Sequence, residues 1–180
     1  MILIPSPYGG AGKLPGPAFV FTTAYDGKVQ APSSAVDDEL FREILLDHYR
    51  HPRHRGLLER ANGAAHGHNP LCGDEVDVSL LVTDQGVEAV GFDGQGCSIS
   101  MASASMMAEE VDGKPMAEVR QLIARFRQML VEGKDPAELG DMGDLEALAG
   151  VRRYVARVKC AMLPWTALEA GLEQVEESHG

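Results

Sequence analysis

The chain has 180 residues, 44% of them hydrophobic and 24% charged, values typical of a globular protein of one domain's length. Its formal net charge of −11, from 27 acidic against 16 basic residues, argues against nucleic acid or an anionic membrane as the main partner. No apolar run approaches the length of a membrane span, and the apolar N-terminus, broken by Pro5 and Pro7, lacks the basic region of an export signal. We therefore expect a cytoplasmic protein with reduced thiols.

Residues 1–34 are rich in Pro, Gly, Ser and Ala and show no sustained periodicity, which predicts a flexible extension. The folded domain is predicted to span residues 35–180. Its first helix is expected to start at a capping box, Ser34-Ala-Val-Asp37, and to end before Pro52. The apolar residues of this helix follow helical spacing: Leu40, Phe41, Ile44, Leu45 and Tyr49.

The next segment alternates between apolar and polar residues and predicts a half-buried strand over residues 75–83. A turn at residues 83–86 and a second apolar run at residues 87–92 complete an antiparallel hairpin. A weaker signal near residues 65–70 suggests a third strand.

The remainder of the chain is predicted to be helical. A small, Met-rich segment at residues 98–111 indicates a buried helix closed by Gly113, and Pro115 suits the first turn of the next helix. After a looser stretch at residues 133–143, residues 151–160 are expected to be helical or to end a helix, and Pro164 is expected to open the last helix. An N-terminal helix, a small antiparallel sheet of about three strands and a C-terminal group of helices make an α+β fold.

Cys72, Cys97 and Cys160 are the only cysteines, and each is predicted to lie in a turn or at the end of an element. An odd number of thiols cannot all pair within the chain. One isolated cysteine is more often a small buried hydrophobe, but the three together favour a metal or reactive-thiol site. Asp74 is predicted to complete a four-coordinate site, with a purely local role in its turn as the alternative.

The neighbours of these residues favour metal binding or reactivity. Gly73 allows a tight bend between Cys72 and Asp74, and Cys97 stands where a helix begins, so that the helix dipole favours its thiolate. Arg157 is either a solvated charge or a group beside the metal that stabilises a thiolate or persulfide. Lys159 is expected to face solvent.

Other residues that invite a metal site are expected to have structural roles. No pair of histidines falls convincingly on one helical face, so surface or capping roles are predicted for His48, His51, His54, His66 and His68. The neighbouring methionines 101, 106 and 107 are predicted to fill the core, and Trp165 is predicted to anchor its helix.

Three segments carry a resemblance to a known family: Asn69-Pro-Leu-Cys-Gly-Asp74, Gly94-Gln-Gly-Cys-Ser-Ile-Ser-Met-Ala-Ser-Ala-Ser105 and Arg157-Val-Lys-Cys-Ala-Met-Leu163. They resemble the signature segments of the iron–sulfur cluster assembly proteins of the IscU/NifU N-terminal family. The segments 46–56 and 140–148 are most similar to the SufU branch. The resemblance covers about residues 36–175 and implies a SufE/NifU-like fold.

Within the family, the resemblance to SufU implies zinc held by Cys72, Asp74, Cys97 and Cys160. It also implies that Cys72 accepts persulfide sulfur from a PLP-dependent, SufS-like cysteine desulfurase, alongside other Suf assembly components, rather than acting as a stand-alone enzyme. Lys159 occupies the position where scaffold-type members usually carry histidine, and the segment between Cys97 and Cys160 is longer than theirs. The alternatives are a scaffold that builds an iron–sulfur cluster on the same ligands and a purely structural zinc domain.

Overall fold

The structure is a computed structural model that describes residues 35–179; the predicted extension 1–34 and the predicted cap at Ser34 lie outside the described residues. The first elements are α1 (Ala35–Arg50), β1 (Gly63–Asn69), β2 (Asp74–Thr83) and β3 (Gly86–Gln95). They are followed by α2 (Ser98–Val111), α3 (Met116–Arg127) with a π-helical turn (Gln128–Glu132), α4 (Pro136–Leu139), a 3-10 helix (Gly143–Arg153) and α5 (Val155–His179). This order confirms the predicted α+β fold.

The three strands form one antiparallel sheet in the order β1-β2-β3. Asn69 pairs with Asp74 to close the β1–β2 hairpin around the loop 70–73, and Thr83 pairs with Gly86 at the other end of β2. The predicted hairpin is therefore confirmed, as is the strand that the weaker signal suggested.

The core lies between the sheet and the helices α2 and α5. Alternate residues of β2 point inward and are at most 1% exposed: Val76, Val78 and Leu80. On α5, the fully buried Trp165 stacks on Phe126 of α3 with ring centroids 4.3 Å apart. The methionines 101, 106 and 107 are also buried, so the predicted structural roles of these methionines and of Trp165 are confirmed.

Helix α2 is buried along most of its length although it carries several serines. Burial is tolerated because the hydroxyl groups have partners. Ser103 Oγ donates a hydrogen bond to the Ala161 carbonyl at 2.7 Å and accepts one from Trp165 Nε1 at 3.1 Å. These two bonds fasten the middle of α2 to the part of α5 that follows Cys160.

The prediction that Pro164 opens the last helix is wrong, because Pro164 lies inside α5. Proline has no N–H to donate to the Cys160 carbonyl four residues earlier, so the sequence alone favours a break here. Ala161, in the turn before Pro164, and Trp165, directly after it, are fully buried, and their packing supports the helix across this missing bond. Cys160 consequently lies inside a helix, in agreement with the helical alternative for residues 151–160, and its predicted place at the end of an element is wrong.

The predicted surface or capping role is wrong for His48, which is fully buried. Its Nδ1 lies 2.9 Å from Ser105 Oγ of α2, and its Nε2 lies 3.0 Å from Asp144 Oδ2 of the 3-10 helix. His48 follows Phe41 and Ile44 at helical spacing, so it belongs to the inward face of α1. The histidines 51, 54, 66 and 68 are exposed, as predicted.

Candidate metal centre

The fold brings all four predicted ligands together from three parts of the chain. Cys72 lies in the loop 70–73, Asp74 begins β2, Cys97 directly precedes α2, and Cys160 lies in α5. Cys72 Sγ is 3.2 Å from Cys160 Sγ, and Cys97 Sγ is 3.4 Å from Asp74 Oδ2. All three cysteines are free thiols.

Asn69, the last residue of β1, fixes the conformation of the loop that carries Cys72. The Asn69 carbonyl accepts hydrogen bonds from the N–H groups of Cys72 at 3.2 Å and Gly73 at 2.9 Å. Gly73 has a φ of +69°, a left-handed conformation that glycine adopts without steric cost. The loop leaves the Cys72 side chain exposed at the protein surface.

Asp74 is held against the start of α2. It is 1% exposed, and its Oδ1 accepts a hydrogen bond from the Cys97 N–H at 2.9 Å. Burial alone would raise the pKa of Asp74, but the hydrogen bond from the Cys97 N–H, with those from the Cys160 and Cys97 thiols and from Ser100, lowers it below its ordinary value. The carboxylate is therefore ionised at neutral pH, with Oδ2 facing sulfur.

A glycine makes room for this carboxylate. A Cβ atom at Gly96 would lie 3.0 Å from both Cβ and Cγ of Asp74 and 2.5 Å from Ser100 Oγ. Residue 96 must therefore lack a side chain for Asp74 to reach the Cys97 N–H. This close approach is the physical reason for a glycine directly before Cys97.

Cys97 is the N-cap residue of α2, as predicted, and is partly buried. Its Sγ lies 3.7 Å from Ser100 Oγ, whose hydroxyl also donates to the Cys97 carbonyl at 3.0 Å.

Cys160 is fully buried, and its surroundings oppose ionisation in the metal-free protein. Burial, followed by the hydrogen bonds with Cys72 and Asp74, raises the pKa of the Cys160 thiol far above its ordinary value. The exposed Arg157 is near Cys160, and its interaction with this side chain, with the charges of the cysteines, raises the pKa of Arg157. Arg157 therefore lies at the cluster, whereas Lys159 is exposed, in keeping with its predicted position facing solvent.

The donor atoms have the chemistry and the proximity that a soft or borderline metal ion requires. One ligand atom each from Cys72, Asp74 and Cys160 lies within 4.8 Å of the other two, and Cys97 joins them through its contact with Asp74. Thiolates with one carboxylate suit Zn²⁺ or iron. The residues present therefore fit the metal that the sequence predicts.

A second group of ligand atoms consists of His48, Glu109 and Asp144. Both ring nitrogens of His48 already have partners, and the two carboxylates are about half exposed. This arrangement is typical of a buried histidine that joins helices.

The residue that sequence reasoning missed is Asn69. Its Nδ2 lies 3.7 Å from Cys160 Sγ, and the side chain is 7% exposed. The signal available in the sequence was its place in the same segment as Cys72 and Asp74, but that segment does not reveal a contact with a residue 91 positions later.

The family model "NifU-like N terminal domain" matches residues 40–161. Over 139 residues the chain is 41% identical to "Zinc-dependent sulfurtransferase SufU" of Bacillus subtilis (strain 168), covering 77% of this chain and 93% of that protein. Over 137 residues it is 34% identical to "Iron-sulfur cluster assembly scaffold protein IscU" of Streptococcus pyogenes serotype M1, covering 76% and 85%.

Among solved structures, the N-terminal part of a nitrogen-fixing NifU-like protein from Brucella abortus matches with a TM-score of 0.71 at 29% identity. The match covers 79% of this chain and 97% of that chain. It agrees with the helix–sheet–helices order described above and confirms the predicted fold. Among the described residues, no helix is both long and apolar enough to cross a bilayer.

Proposed function

Since the chain belongs to the NifU-like N-terminal domain family, whose members act in iron–sulfur cluster assembly, we propose that it is a zinc-dependent acceptor of persulfide sulfur. The sulfur donor would be a partner cysteine desulfurase. The observation that carries this proposal is the pairing of an exposed sulfur with buried ligands. Cys72 is exposed, whereas Cys160, 3.2 Å away, and Asp74 are buried. A partner can reach Cys72 without unfolding the cluster.

Zinc would be held by Cys72, Asp74, Cys97 and Cys160. When bound, it keeps cysteine sulfurs deprotonated at neutral pH and moderates their reactivity. The name of the Bacillus subtilis relative, which includes "zinc-dependent sulfurtransferase", supports this choice of metal.

Other groups of the chain would present Cys72, orient Asp74 and supply positive charge. The loop 70–73 presents Cys72, the Cys97 N–H fixes the Asp74 carboxylate, and Arg157 places a positive charge beside Cys160. A cation at this position favours negative charge on sulfur, including the charge on a newly formed persulfide. Arg157 is therefore proposed to stabilise the acceptor site.

The transfer step is a thiol–persulfide exchange. The Cys72 thiolate attacks the terminal sulfur of the partner's cysteine persulfide, a new S–S bond forms at Cys72, and the original S–S bond breaks. The partner cysteine leaves as a thiolate, and the transferred sulfur keeps its proton. No external oxidant or reductant is needed, because one S–S bond replaces another.

The proposal is tested with purified protein, a SufS-like desulfurase and cysteine. We expect one zinc per chain as purified, and a persulfide mass increment on the peptide that contains Cys72. Cys72→Ser should abolish stimulation of the desulfurase, and Glu88→Gln on the exposed side of β3 serves as the control. Normal sulfur transfer with an unmodified Cys72 would refute the assignment.

The second candidate is a scaffold that assembles an iron–sulfur cluster on the same ligands. The name of the Streptococcus pyogenes relative and the presence of three neighbouring thiols support it. The exposed Lys159, in place of a metal-binding side chain before Cys160, favours the transfer function. The two are separated by anaerobic absorbance spectra after purification: the acceptor is colourless with zinc, and a scaffold is brown with bound cluster.

A further inference from the structure

Asn69 contacts both members of the sulfur pair formed by Cys72 and Cys160. Its backbone carbonyl accepts the Cys72 N–H, and its side-chain Nδ2 lies 3.7 Å from Cys160 Sγ. A sulfur acceptor is larger than oxygen, so a donor–acceptor distance of this size is long but within bonding range. One residue at the end of β1 therefore touches the loop of the exposed cysteine and the sulfur of the buried one.

The orientation of the Asn69 amide follows from a second hydrogen bond. Oδ1 accepts the backbone N–H of Leu71 at 3.2 Å, and a backbone N–H can only donate. The oxygen must therefore face Leu71, and the NH₂ group must face Cys160. This partner removes the usual ambiguity between the two ends of an asparagine amide.

A hydrogen bond to a sulfur ligand withdraws electron density from it and reduces its nucleophilicity. Outer hydrogen bonds of this kind orient and tune metal ligands in proteins. Here the amide donor is directed at Cys160, which is also fully buried, whereas Cys72 is exposed and meets Asn69 through its backbone N–H. The asymmetry makes Cys160 the anchored sulfur and Cys72 the reactive one.

We propose that Asn69 is a positioning residue that distinguishes the two adjacent sulfurs: its amide holds Cys160 as a ligand while its carbonyl shapes the loop that presents Cys72. This inference rests on the proposed function, since it explains why Cys72 and not Cys160 would accept sulfur. It gives a role to Asn69, the first residue of the segment Asn69–Asp74, although Asn69 is not one of the proposed metal ligands.

The test uses three variants of the full chain. Asn69→Asp keeps an oxygen for the Leu71 N–H but removes the amide donor, and Asn69→Ser does the same with a hydroxyl too short to reach Cys160. His68→Ala, at an exposed neighbouring position of β1, is the matched control. If one Asn69 variant fails to fold, the other provides the comparison.

Two readouts do not depend on sulfur transfer. In zinc-loaded protein, where both sulfurs are held as thiolates, treatment with limiting iodoacetamide and peptide mass spectrometry give the ratio of Cys72 to Cys160 alkylation. Loss of one hydrogen bond is expected to lower this ratio about five- to tenfold. In Co²⁺-loaded protein, the sulfur-to-cobalt charge-transfer band is expected to move to lower energy, because Cys160 becomes more electron-rich.

Shifts of both readouts in the Asn69 variants, with none in His68→Ala, support the proposal. An unchanged alkylation ratio or an unchanged band in a folded Asn69 variant overturns it. Failure of the proposed function is recognised separately, because it would appear in the wild-type chain as absence of a persulfide on Cys72 while both readouts still respond to Asn69.

Discussion

The space at Gly96 yields the sharpest prediction for the metal centre. In Gly96→Ala, the new methyl group would lie 3.0 Å from Cβ and Cγ of Asp74 and 2.5 Å from Ser100 Oγ. The Ser100 hydroxyl can rotate away, but Asp74 Cβ is fixed by strand β2. We therefore expect the Asp74 carboxylate to move off the Cys97 N–H.

The magnitude follows from these contacts. Insertion of a methyl group into a packed site typically costs about 1–3 kcal/mol, and the lost hydrogen bond adds about 1 kcal/mol. We expect a fall of about 2–4 kcal/mol in the unfolding free energy of the metal-free protein. Because Asp74 is a proposed ligand, we also expect zinc affinity to fall about 10- to 100-fold.

Stability is measured by urea unfolding, with emission from Trp165 as the probe, since Trp165 is the only tryptophan and is fully buried. Zinc affinity is measured by competition with a chromophoric chelator. The control is Gly150→Ala, because a Cβ atom at Gly150 meets nothing within 4 Å. Unchanged zinc affinity in a destabilised Gly96→Ala would refute the claim that residue 96 acts through Asp74.

Three further predictions concern the packing around the site. His48→Ala should cost about 3 kcal/mol through lost packing and the loss of the hydrogen bonds to Ser105 and Asp144. His51→Ala, at a side chain 77% exposed, should cost less than about 0.5 kcal/mol, and equal losses in urea unfolding would contradict this role for His48. Metal-free protein should lose stability as the pH rises above about 9, because the raised pKa of Cys160 makes the folded state keep a proton that the unfolded chain releases. Cys160→Ala should flatten the dependence of stability on pH between about 8 and about 10, and an unchanged dependence would contradict this role of Cys160. Trp165→Phe and Ser103→Ala should each lower the unfolding free energy by about 1–2 kcal/mol, and the double variant should lose less than the sum because both changes remove the same hydrogen bond. Unfolding in urea is monitored by circular dichroism, and additive losses would show that this hydrogen bond contributes nothing to stability.

The order of helices and strands could be predicted because the apolar residues of each element repeat with the period of a helix or of a strand. Alternation in residues 75–83 marks a strand, and helical spacing from Phe41 marks α1. The same helical spacing also reaches His48, but a polar side chain predicts a surface residue, and the partners that hold His48 in the interior are 57 and 96 positions away. The spacing of apolar residues predicts which face of a helix is buried. It does not predict which polar residues are buried on that face, because their hydrogen-bond partners are distant in the sequence.

The remaining differences arise where distant parts of the chain decide the outcome. A proline at residue 164 ends a helix by local rules, and packing against α2 and the sheet overrides that rule. The proximity of the four predicted ligands could be expected from their residue types. The amide that faces Cys160 could not, because nothing local to Asn69 indicates which residue of α5 it will meet.

The position of Cys160 in the last helix has a consequence for biosynthesis. The hairpin and the start of α2, which supply Cys72, Asp74 and Cys97, leave the ribosome well before α5 does. Until α5 has emerged and packed, the nascent chain holds an incomplete set of sulfurs, and Cys72 lacks its buried neighbour. The complete set of four proposed ligands therefore exists only after α5 has been synthesised.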